Sequence, residues 1–118
     1  MAFLMLSAQK SLLTMKKNQM QFEYSCLINK VQNLKKQEAA WAKTQNALYD
    51  NDGDDKTSWD QENDDFYIGL TKEEENLTVD ADTINSQIQI IDGYLASMKT
   101  MVQNDVKQAT SLNLLGGG

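Results

Sequence analysis

LSAQKSLLTMKKNQMQFEYSCLINKVQNLKKQEAAWAKTQNAL, residues 6 to 48, carries an apolar side chain at every seventh position: Leu6, Leu13, Met20, Leu27, Leu34, Trp41 and Leu48. Seven consecutive hits in one register predict a single helix of about 45 residues, which at ~1.5 Å per residue would be roughly 65 to 70 Å long. The positions three residues earlier are mixed, with Phe3, Tyr24 and Val31 apolar but Lys10, Lys17, Glu38 and Gln45 polar. A further line, Met5, Leu12, Met15, Phe22 and Cys26, widens the apolar face in the N-terminal half. A face that wide needs more than one partner helix.

Farther along, Leu77, Ile84, Ile91 and Met98 share one seven-residue register and Ala81, Ile88, Leu95, Val102 and Ala109 share a second. Leu112 continues the first series and Asp105 interrupts it. A polar seam residue either sets register or faces water where packing loosens. Gly93 falls outside both lines, so either a partner backbone approaches it or the helix carries a weak spot there. Thr71 and Glu74 have capping-box spacing, which predicts a start near 72, with Glu73, Glu74 and Glu75 at the positive end of the helix.

These signals predict an all-α fold: an antiparallel two-helix hairpin, coiled-coil-like, with a long acidic connecting loop. Helix 1 is expected over about 3–48, the connection over 49–70 and helix 2 over about 72–114, as one protomer spanning the 118 residues. Ser58 and Gln61 also have capping spacing and predict a short turn holding Trp59. Trp59, Phe66 and Tyr67, set among acids, read as pins holding the connection on the helices, with a recognition surface as the alternative.

Composition narrows the chemistry. Proline, histidine and arginine are absent, Asn and Gln supply 21 residues, and Ser and Thr 15. Lacking helix breakers, the chain favours long helices; lacking histidine and any nucleophile–base, phosphate-loop or Cys/His metal motif, it is expected to be no enzyme and to need no cofactor. Net charge is −6. Residues 1–48 sum to +5 and residues 49–82 to −11, and without arginine nucleic acid is not an expected partner. Lys-rich helix 1 suits helix partners better than a membrane surface. Cys26 has no second cysteine to pair with, and reads as a small buried hydrophobe.

Asp50, Asp52 and Asp54 alternate around Gly53 like the opening of an EF-hand loop. Asp55, Thr57 and Gln61 then stand where that loop requires Gly, an aliphatic residue and a bidentate Glu. A solvated acidic loop is the expectation, and calcium binding the minor alternative.

The start, Ala2-Phe3-Leu4-Met5-Leu6, and the end, Leu112-Asn113-Leu114-Leu115, are apolar where chain ends are usually polar. An antiparallel hairpin brings them to one end, so Leu112, Leu114 and Leu115 join the seam residues as expected assembly contacts. No Sec-type signal or membrane span is read at the start.

The chain resembles, in architecture and composition, type III secretion needle subunits and the terminal-helix core of flagellins. It shares their scarcity of Pro, Cys and His and their paired terminal helices, and the stretch from Val106 to Leu115 is similar to the apolar C-terminal helix of flagellins. The resemblance covers both helices and leaves 49–70 unmatched. It implies terminal helices lining a tube, a middle segment facing outward, and an extracellular or cell-surface location reached without a cleaved signal; without it, a cytoplasmic location is the expectation. The Trp-x-Gly signature of type VII secretion hairpins is absent, since Asp60 and Gln61 follow Trp59. The leading expectation is therefore a structural subunit whose partner is itself, assembling into a filament or tube with its acidic loop outward. An adaptor or chaperone-like hairpin that binds another protein is the alternative, and a calcium-responsive module the third.

Overall fold

The structure is a computed structural model. It describes the backbone over residues 2–50 and 58–115, and side chains over 4–49 and 58–108. Asp52 and Asp54, and the side chains of Asp50, Leu112, Leu114 and Leu115, lie outside the described residues.

Helix α1 runs Ala2–Asp50, a 3-10 turn follows at Gln61–Asn63, and α2 runs Asp65–Leu115. The two helices pack against each other as an all-α hairpin, with no strand among the described residues. Within these helices of 49 and 51 residues, Thr14, Thr44, Thr78, Thr83 and Thr100 each turn their hydroxyl back and donate it to the carbonyl four residues earlier, at 2.8–3.2 Å, which satisfies the hydroxyl without supporting the helix.

The expected start of helix 2 is corrected: α2 begins at Asp65, not near 72. Asp64 is the cap. Its Oδ1 accepts the Tyr67 amide at 3.1 Å, and its carbonyl accepts the Ile68 amide at 2.9 Å. Thr71 instead lies within the helix and donates to the Ile68 carbonyl at 2.9 Å. Glu73, Glu74 and Glu75 consequently sit beyond the first turn, outside the reach of the helix's positive end, where Asp65 takes their place. Ser58 likewise caps nothing shown. The 3-10 turn follows Asp60, held by Asn63 N to Asp60 O and Asp64 N to Gln61 O, both 3.3 Å.

The chain divides into two compact units, Tyr24–Thr83 and Met1–Glu23 with Ile84–Gly118. In the first, Val31, Leu34, Trp59, Leu70 and Ala81 are buried, with Leu27, Trp41 and Leu77 half-buried. In the second, only Ile88 and Ile91 are buried among the described residues; Leu6, Leu13, Met20, Ile84, Leu95, Met98 and Val102 are half-buried. The seven-residue registers thus mark the packed seam, with Leu48 the exception at 57% exposed. A straight helix drifts ~20° per heptad from a strict repeat, and by Leu48 the covered positions have become Gln45 and Tyr49. Asp105 is half-buried.

Candidate assembly surface

The unit of Tyr24–Thr83 is closed by a carboxylate. Asp64 Oδ2 accepts both indoles, from Trp41 at 2.6 Å and from Trp59 at 3.0 Å, while Oδ1 is committed to the Tyr67 amide. The rings that bring those donors in are themselves packed: Trp41 on Phe66 with centroids 4.6 Å apart, and Trp59 edge-on to Tyr67 at 4.9 Å. The Trp41 hydrogen bond, then the Tyr67 amide, hold the Asp64 carboxyl below its ordinary range; partial burial works against them, and the Trp59 indole and Phe66 amide add to them. Trp59 and its neighbours therefore tie the 3-10 turn and the start of α2 to α1.

In the same unit Glu38 sits in the α1 seam with its Oε1 buried and without a hydrogen-bond partner. Burial, and next the nearby Glu74 carboxylate within hydrogen-bonding reach, push its carboxyl upward; Lys35 offsets this in part. Lys35 Nζ itself stands 3.8 Å from Glu74 Oε1. Among the described residues no group of three His, Cys, Asp or Glu is placed to hold a metal ion.

The other unit carries apolar surface instead. On α1, Leu4, Met5, Leu12, Met15 and Phe22 are 64–70% exposed. Met5 and Leu12 precede the seam positions Leu6 and Leu13 by one residue, and Met15 and Phe22 follow Leu13 and Met20 by two. At ~100° per residue this centres the stripe roughly 130° around α1 from those seam positions. Met5, Leu12, Met15 and Phe22 belong to the line of residues the sequence marks as widening the face of helix 1, and α2 leaves them uncovered; Cys26, in the same line, is half-buried. On α2, Ile90, Tyr94 and Met101 are 52–59% exposed, and Ile90 and Tyr94 border a groove with Leu13, Lys16, Met20, Gln87 and Ile91. Lys17 and Asp92 form an ion pair at 2.5 Å beside it.

Charge divides between the units as well. Met1–Glu23 with Ile84–Gly118 has five Lys against three acids, net +2; Tyr24–Thr83 has six Lys against fourteen acids, net −8. No described helix is long and apolar enough to cross a membrane.

Among the described residues the sequence seam positions are thus covered within the chain, except Leu48, while the α1 stripe is left exposed. Asp64 was missed as a cap because no Glu or Gln stands three residues on; the signal present was the acidic pair Asp64-Asp65 before Phe66-Tyr67-Ile68. Comparison with protein-family models, with curated proteins and with solved structures finds no match to this chain.

Proposed function

We propose that this protein is a non-enzymatic structural subunit that self-assembles, burying the α1 stripe against its own copies and leaving its acidic connection outward. The observation that carries this reading is the stripe itself: Met5, Leu12, Met15 and Phe22, each about two-thirds exposed, at coiled-coil spacing with Leu4 beside them, on a unit with only Ile88 and Ile91 buried among its described residues. Monomers seldom leave a contiguous apolar strip of this kind in water, because burying it is worth about 25 cal/mol per Å². Ile90, Tyr94 and Met101 supply a second apolar surface on α2, and two distinct self-associating surfaces per subunit are what growth beyond a closed pair requires. The product is a filament or tube, in keeping with the resemblance to secreted helical filament subunits, and the location expected is extracellular or at the cell surface.

Negative-stain microscopy and light scattering of the purified full chain test this. Regular assemblies that grow with concentration are expected. A monodisperse monomer at high concentration would overturn the reading, and a defined complex with a different protein in its place would establish the adaptor alternative.

A further inference from the structure

We infer that the first step of assembly is an antiparallel pairing of the α1 stripe with the same stripe of a second copy, in the register that sets Met5 against Phe22, Leu12 against Met15 and Ala8 against Gln19. This inference rests on the self-assembly reading above and specifies its partner surface and orientation.

The register follows from the spacing. Positions 5, 8, 12, 15, 19 and 22 alternate steps of three and four, the pattern of a coiled-coil seam. Aligned antiparallel so that paired numbers sum to one value, each large apolar residue meets another large one, and the two small or polar positions, Ala8 and Gln19, share the layers between them. The four large seam side chains, at 64–70% exposure over five helical turns, offer roughly 1,000 Å² across such a pair, the lower bound of a specific interface. The flanks raise no objection, since Lys16 falls beside the second copy's Gln9.

Orientation is decided by charge. The stripe ends at Phe22, and residues 24–83, which follow it in the chain, sum to −8. Parallel pairing brings the two copies of residue 24, where this acidic stretch begins, to the same end of the shared stripe; antiparallel pairing puts them at opposite ends. Like charges repel over a Debye length of ~8–10 Å at ordinary salt, so the antiparallel pair avoids a cost the parallel pair incurs. A second copy's stripe is the fitting occupant because it is apolar, matched in length, and carried on the unit of low net charge.

Single-cysteine variants Ala8→Cys and Gln19→Cys, each in a Cys26→Ser full-length chain, test both orientation and register. Both sites are exposed in the hairpin, and circular dichroism checks that each variant retains its helices. Under mild oxidation the mixture should give an 8–19 disulfide. Each variant alone should link at least about tenfold more slowly, because like positions then lie ~16 Å apart along the axis and disulfides need Cα separations below about 7 Å. Sedimentation of the unmodified chain, run in parallel, reports association itself. Self-linking of Ala8→Cys as fast as mixed linking overturns the antiparallel register while leaving self-assembly standing. Association without linking at either site places the interface elsewhere and has the same effect. Absence of association at any concentration overturns both readings.

Discussion

Replacing Leu12 with Glu separates assembly from folding. Leu12 is 66% exposed in the hairpin, so α2 shields little of it. Full burial of a Leu is worth about 1.5–3 kcal/mol, and two-thirds of that, about 1–2 kcal/mol, remains to be gained when another copy covers it. A symmetric pair contains the site twice, so the loss is about 2–4 kcal/mol, or roughly 30- to 700-fold in the dimer dissociation constant. Desolvating the new carboxylate adds to the loss, which makes this a lower bound. The hairpin itself should hardly notice, since an exposed change between two good helix formers costs about 0.5 kcal/mol or less. Sedimentation equilibrium measures the first quantity; thermal unfolding by circular dichroism, at a concentration where the parent is monomeric, measures the second. Gln21→Glu is the control for charge, because Gln21 is exposed on α1 but lies off the stripe. Unchanged association in Leu12→Glu, or an equal loss in Gln21→Glu, would refute burial of the stripe as the driving force.

Three further outcomes follow from the hairpin. Glu38→Gln removes a carboxylate whose folded form resists ionisation, so it should stabilise the protein at pH 7 by about 1 kcal/mol, the scale of one unsatisfied buried polar group. Because the folded carboxyl binds its proton more tightly, parental stability should fall as pH rises above 4.5, and the variant's should fall less; identical urea midpoints from pH 4 to 7 would refute this. Asp64 has the opposite sign: its contribution is complete above 3.8 and disappears as pH falls through its depressed folded value, releasing both indoles. Asp64→Asn should therefore lose that acid transition in Trp emission, and retention of it would show that the carboxylate does not govern the two rings. Gly93→Ala should raise stability by about 1 kcal/mol in the monomer, since a methyl there meets nothing within 4 Å; a lower melting temperature at high dilution would contradict that.

The two helices were legible because heptad spacing is a property of the sequence that geometry obeys directly. Val31, Leu34, Ile88 and Ile91 are buried where their registers place them. The connection was less so. Thr71 and Glu74 form a good local capping signal, yet Asp64 prevails because Trp41, 23 residues away, and Trp59 supply donors to the carboxylate that also caps the helix. That advantage is tertiary, and no local window contains it. The stripe was visible as a widening of the face, but the sequence could not say which of two apolar lines α2 would cover. Glu38 was seen as a break in the seam; that Glu74 faces it depended on a pairing register fixed only by the fold.

The two units also differ in what they would do under changing conditions. Among its described residues Tyr24–Thr83 has five buried apolar residues and the Asp64 clasp, and its charge of −8 resists close approach by its own copies. The other unit has less interior and a low net charge, so it gains from association and meets little repulsion. Pairing through the stripe should therefore depend weakly on salt. Any later step that sets acidic units side by side should strengthen as the Debye length shrinks from ~10 Å at 0.1 M to ~3 Å at 1 M. Light scattering that rises with salt while the dimer constant stays fixed is the expected pattern. A dimer constant that itself tightens tenfold or more over that range would mean the acidic units meet in the first step, and the antiparallel pair would be the wrong one.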